Sequence, residues 1–67
     1  MKAGVRNKLT GTILEIKEGD IMSEVIIQAG ENQITSVMTT DSLKEAGFKV
    51  GNKATALIKA INVVLIK

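Results

Sequence analysis

The side chains with the clearest chemical use in this 67-residue sequence are hydrogen-bond donors, namely Arg6, Thr39, Thr40, Ser42 and Lys59. Arginine offers a planar fork of N–H donors, lysine offers a compact charge, and hydroxyls near a helix start add neutral donors. Together these groups suit the binding of an oxyanion. Structural interpretations stay open, because Thr39 and Ser42 can cap a helix and Lys59 can extend into solvent.

The composition excludes several kinds of catalysis. The sequence has no cysteine and no histidine, which removes thiol chemistry, disulfides and the usual general base. Asp20, Asp41 and the glutamates show no spacing that would assemble a base, a nucleophile or a metal site. We therefore expect no catalytic residues, no bound metal cation and no enzymatic activity.

The charge balance disfavours nucleic acid and membranes as partners. Nine basic and seven acidic residues give a net charge of +2, and Phe48 is the only aromatic residue on which a base could stack. No apolar stretch approaches the ~20 residues needed to cross a bilayer. The sequence predicts a cytoplasmic protein without a nucleic-acid or membrane partner.

Most of the predicted elements are strands. They cover residues 6–17, 21–29, 33–39, 53–59 and 61–66. The apolar alternation changes phase at Ile13 and Leu14, which predicts a bulge or strong coiling of the first strand. Between the third and fourth strands, a capping box at Ser42 and Glu45 and a stop at Gly47 predict one short helix.

These elements predict an all-β fold, a five-stranded OB-like Greek-key barrel with one short helix between strands 3 and 4. Residues 1–67 are expected to form a single domain. Residues 61–66 are apolar on both faces of the last predicted strand, and residues 25–29 repeat this pattern. Because a small domain cannot cover both faces, we expect a homo-oligomer. Met22 and Met38 are expected to fill the core.

Four stretches of the sequence resemble the molbindins, which are small molybdate-binding (Mop) proteins. They are VRNKLTGTI at 5–13, ITSV at 34–37, TTDSL with a following glycine at 39–47, and ALIKAINV at 56–63. Similar domains occur in molybdate-responsive regulators and in molybdate transporter ATPases. The resemblance covers nearly the whole chain, in order and with compatible spacing.

The resemblance implies an OB-like fold and a hexamer, a trimer of dimers, that holds molybdate or tungstate between subunits. It implies a role in intracellular molybdenum storage or homeostasis, with no organic cofactor. By resemblance, the residues of the molybdate site are Gly4, Val5, Arg6, Thr39, Ser42, Lys59 and Ala60. Gly4 stands where the family has a serine, so only its backbone amide could replace the hydroxyl.

Two alternatives remain open at the level of sequence. One is a non-catalytic oligomerisation or regulatory module that binds no ligand. The other is an OB-type single-stranded nucleic-acid binder. The sequence does not assign the second class of anion site that the family has near its three-fold axis.

Overall fold

The computed structural model describes residues 5–67. Its elements are β1 (Asn7–Lys17), β2 (Met22–Ala29), β3 (Asn32–Thr39), α1 (Thr40–Ala46), β4 (Lys53–Ile58) and a 3-10 turn (Ala60–Asn62). No helix in this part of the chain is both long enough and apolar enough to span a membrane.

Within residues 5–67, four antiparallel strands form one sheet in the order β3-β2-β1-β4. The first three strands are a meander, and β4 returns beside β1, which is the strand order of a Greek key. The all-β prediction and the short helix between β3 and β4 are confirmed. The five-stranded barrel is not, because the described residues contain four strands.

The first strand changes partner along its length. Residues 7–12 of β1 pair with β4, and residues 12–17 pair with β2. The register with β2 shifts between Ile13 and Glu15, so the predicted bulge is confirmed. This irregularity lets one long strand serve both halves of the curled sheet.

Gly11 lies where β1 changes partner. A Cβ atom at this position would overlap the backbone carbonyl of Gln28 on β2. Glycine is therefore required for close approach of the two backbones rather than for an unusual dihedral angle.

The core lies between the concave face of the sheet and the helix. Ile13, Val25, Ile27 and Leu43 are its buried apolar residues, and Met38 packs against them. The expectation for Met38 is confirmed, but that for Met22 is wrong. Met22 is 49% exposed, because it lies on the face of β2 opposite to the buried Ser23, Val25 and Ile27.

The predicted strand at 61–66 is wrong for this chain. After β4 the backbone makes the 3-10 turn, and residues 63–67 then leave it without regular structure. Their apolar side chains are exposed, with Ile66 at 94%. Val63 has extended dihedral angles, φ −91° and ψ 118°, yet no ladder includes it. The sequence has strand character here, but these residues do not pair with either free edge of the sheet.

Candidate functional site

Two hydroxyl-bearing residues mark the start of α1. Thr39 is the N-cap, and its Oγ1 accepts a hydrogen bond of 3.1 Å from the backbone N–H of Ser42. The same Oγ1 donates to Ser42 Oγ at 2.8 Å. Of the candidate caps, Thr39 is the one used. The predicted capping box at Ser42 and Glu45 is wrong, because Ser42 already lies within the first turn of the helix.

Beneath this pair, a closed ring of hydrogen bonds fixes the helix start to the β1–β2 turn. The N–H of Gly19 donates to Ser23 Oγ at 3.2 Å, and Thr40 Oγ1 donates to the carbonyl of Gly19 at 2.9 Å. Ser23 and Thr40 hydroxyls lie 2.7 Å apart and are both buried. Since Thr40 has given its proton to Gly19, Ser23 is the donor between them. Thr39 and Ser42 therefore stand on a fixed support.

Sequence reasoning missed the part that Ser23 and Thr40 play. Thr40 belonged to the set of donors, but its hydroxyl is directed into the ring and is not available to a ligand. The weak signal in the sequence is that a threonine directly follows the cap residue. The ring itself depends on Ser23, 17 positions earlier in the chain.

The two cationic candidates lie together at the other end of β1. Asn7 pairs with Ile58 in the β1–β4 ladder, so Arg6 and Lys59 are the next residues beyond this pair. The Asn7 amide donates to the carbonyl of Ile58 at 3.2 Å, which ties the two chain segments together. Arg6 and Lys59 are exposed, and neither forms a salt bridge within residues 5–67.

The other predicted site residues flank these cations. Val5 precedes Arg6, and Ala60 opens the 3-10 turn after Lys59. The backbone hydrogen bonds of this turn are accepted by the carbonyls of two predicted site residues, Lys59 and Ala60. The N–H of Asn62 donates to the carbonyl of Lys59 at 2.9 Å, and that of Val63 donates to the carbonyl of Ala60 at 3.2 Å. Gly4 lies outside the described residues.

One chain does not bring the hydroxyl pair and the cationic pair together. Lys17, at the end of β1, is aligned through Glu24 of β2 with Val37 of β3, and Thr39 lies two residues beyond Val37. Arg6 precedes the first residue of the same 11-residue strand. At about 3.3 Å per residue, the eleven steps from Arg6 to Lys17 would span about 36 Å along a straight strand, and the curl of β1 shortens this distance. We call the two pairs the hydroxyl half-site, Thr39 and Ser42, and the cationic half-site, Arg6 and Lys59.

An apolar groove opens between the unpaired edges of β3 and β4. Its volume is 270 Å³, and residues 34–36 and 38 of β3 with residues 54–58 of β4 supply most of its walls. The buried Val25 and Ile27 contribute to its lining. Phe48 also lines it and packs against the core. The single aromatic ring is thus engaged in packing rather than presented for stacking.

Comparisons with known proteins identify the family and the fold. The family model described as the TOBE domain matches residues 4–65. Molybdenum-pterin-binding protein 1 of Clostridium pasteurianum is 40% identical, over 98% of each chain. The structure of a molybdate-binding protein from Sporomusa ovata is 33% identical, with a TM-score of 0.94 over the whole of both chains. MopII from Clostridium pasteurianum has a TM-score of 0.89 at 36% identity, over 94% of this chain and 96% of its own.

The chain therefore belongs to the TOBE domain family. Its relatives over the full length are Mop proteins, so the resemblance to the molbindins is confirmed.

Proposed function

We propose that this protein binds molybdate, and also tungstate, at sites between subunits of a homo-oligomer, and that it stores the oxyanion in the cytoplasm without catalysing a reaction. The observation that carries the proposal is the division of the predicted site into two half-sites at opposite ends of β1. Relatives of nearly equal length are named for binding molybdate or molybdenum-pterin, which supports the choice of ligand.

The two half-sites supply different parts of the binding energy. Arg6 and Lys59 bring two positive charges side by side, and a tetrahedral dianion between them would relieve their repulsion. The hydroxyls of Thr39 and Ser42, with backbone amides, would orient its oxygens. Each charge-assisted hydrogen bond contributes about 1.5–3 kcal/mol. Sulfate has the same charge, so the size of the cavity must discriminate against it.

The oligomer would form through the groove and the 63–67 segment. Residues 63–66 of the segment are apolar and Val63 has extended dihedral angles. The five residues of the segment equal in number the five residues of β4 that line the groove. A chain cannot easily place its own segment there through a tight hairpin, because such turns need residues with positive φ. Among residues 5–67, positive φ occurs only at Gly30, Gly47 and Gly51, none of which follows β4. We therefore assign the groove to the segment of a second copy, in an assembly that the resemblance makes a hexamer.

Calorimetric titration with molybdate tests the ligand. Lys59→Ala and Arg6→Ala should each weaken binding roughly 10-fold to 150-fold, the equivalent of one charge-assisted bond. Lys53→Ala removes the same charge at the start of β4 and should leave the affinity within about threefold. Equal affinity for molybdate in all four proteins would refute the site.

Mixing two inactive variants tests whether the site is shared. Lys59→Ala damages the cationic half-site, and Thr39→Asp puts a carboxylate into the hydroxyl half-site. In a mixed pair, one of the two intersubunit sites receives both damaged halves and the other receives two intact halves. Random co-refolding of equal amounts makes half of the pairs mixed, so strong binding should return to about a quarter of the wild-type stoichiometry. A site contained within one chain would stay inactive in every mixture.

A further inference from the structure

The cationic half-site and the 63–67 segment belong to one continuous stretch of chain, with only the 3-10 turn between them. Lys59 and Ala60 accept the hydrogen bonds that close this turn, at 2.9 and 3.2 Å. Lys59 and Ala60 connect β4 to the segment, so any movement of the segment relative to β4 changes the backbone of residues that would contact the anion.

The turn is otherwise weakly held. Ala60, Ile61 and Asn62 are exposed, and Lys59 receives no side-chain cap for it. Two backbone hydrogen bonds at the surface do not strongly fix the direction in which the 63–67 segment leaves the turn, because water competes for them. A ligand that holds the Lys59 side chain would reduce the freedom of the backbone from which the turn begins.

We propose that oxyanion binding at Lys59 controls release of the 63–67 segment, with the turn at residues 60–62 as the coupling element. This inference rests on the proposed function, since it needs both a bound anion and a segment docked on a second copy. With the anion bound, withdrawing the segment would pull Lys59 away from its ligand. The anion therefore locks the segment, and the empty site leaves the segment free to exchange between subunits.

The size of the effect follows from linkage. A ligand that binds only the docked state raises its population relative to the released state by a factor of one plus the ratio of ligand concentration to Kd. At a molybdate concentration of 100 times Kd, release should become up to about 100-fold rarer for one site.

Hydrogen exchange followed by mass spectrometry measures this directly. The observed peptide would cover residues 60–67, with molybdate or with sulfate at equal ionic strength. We expect protection of this peptide to rise up to about 100-fold with molybdate in the wild type and in Lys53→Ala. It should not rise in Lys59→Ala or with sulfate.

A second variant isolates the turn. Asn62→Gly frees the backbone of an exposed turn residue and removes no apolar side chain. It should bind molybdate with near wild-type affinity and show only a small rise in protection. A full rise in Asn62→Gly would overturn the role of the turn, because the shared site alone would then explain the coupling.

The failure of this inference differs from the failure of the proposed function. If calorimetry shows molybdate binding but the protection of residues 60–67 stays constant, the coupling is wrong and the binding function stands. If calorimetry shows no binding, the function itself is wrong and the inference fails with it.

Discussion

The hydroxyl half-site and the cationic half-site are held in contrasting ways. Thr39 and Ser42 stand above a buried ring of hydrogen bonds that joins the helix start to the β1–β2 turn. Arg6 and Lys59 lie just beyond the last pair of a two-stranded ladder, and one side-chain hydrogen bond from Asn7 joins their segments. In the proposed site, a single chain would therefore supply firmly held hydroxyls to orient the oxygens of the anion and less firmly held charges to attract it.

The contrast indicates how a small fold could assign the orientation of an anion to one region and its electrostatic attraction to another. Rigid neutral hydroxyls select geometry, because their positions do not adapt to a wrong ligand. Charges on a loosely held segment attract the anion and can then settle around it. Substitutions in the two regions should consequently differ in whether they affect folding, binding or both.

The largest effect should come from Gly11, which lies between the two regions where β1 changes partner. Gly11→Ala would place a Cβ against the carbonyl of Gln28, and we expect a loss of about 3 kcal/mol in the free energy of unfolding from overpacking. Urea denaturation measures it. Lys8→Ala on the same strand is exposed and should cost under about 0.5 kcal/mol. Similar midpoints for the two variants would show that β1 and β2 can separate at no cost.

Thr39→Asp should separate capping from binding. Aspartate is as good an N-cap as threonine, so the free energy of unfolding should change by under about 0.5 kcal/mol. Its carboxylate would repel a dianion, so molybdate affinity should fall more than about 100-fold, or 2.7 kcal/mol. Asn32→Asp adds the same charge at the start of β3 and should leave affinity unchanged. If Thr39→Asp keeps its affinity for molybdate, Thr39 caps the helix but does not contact the anion.

Thr40→Val should test the support below the hydroxyl half-site. The substitution keeps the shape of the side chain but opens the ring, leaving Ser23 and the Gly19 carbonyl short of a partner. We expect a loss of about 2 kcal/mol in stability, measured by thermal unfolding. Thr10→Val removes an exposed hydroxyl pair with Thr55 and is the matched control, with an expected loss below about 0.5 kcal/mol.

The smallest effect should come from Lys17, at the end of β1 on the hydroxyl side. Lys17 lies 3.5 Å from Glu24 and 4.0 Å from Glu15, but its side chain is 60% exposed. Lys17→Ala should therefore change stability by under about 0.5 kcal/mol and leave molybdate affinity unaltered. A large loss of affinity would mean that a third cation belongs to the site.

Features set by local sequence could be predicted. The phase change at Ile13 and Leu14 marked the bulge, and Gly47, with φ 70°, ends the helix as expected. Thr39 acts as the cap because the end of β3 already holds it in the extended conformation that a cap requires. The spacing of residues also favoured Ser42 as the N-cap, in a capping box with Glu45. The choice depended on where β3 ends, which this spacing could not reveal.

Features that depend on distant partners could not be predicted. The Ser23–Thr40 ring joins two elements that no local pattern connects, and Met22 is exposed because the helix packs on the other face of β2. The last predicted strand has the right composition, but a strand also requires an edge with which to pair. The division of the site into two half-sites follows from strand order and register, which the spacing of motifs does not encode.

The open groove also affects how long a newly synthesised chain persists as a monomer. If a second copy fills the groove, as proposed, a chain that has not yet met that copy exposes two sheet edges and a run of aliphatic side chains, the features that favour misassociation and proteolysis. The yield of usable protein should then rise more steeply than the rate of synthesis, because encounter between copies competes with clearance of single ones. In that case, a cell that makes little of this protein would retain a smaller fraction of it than a cell that makes much.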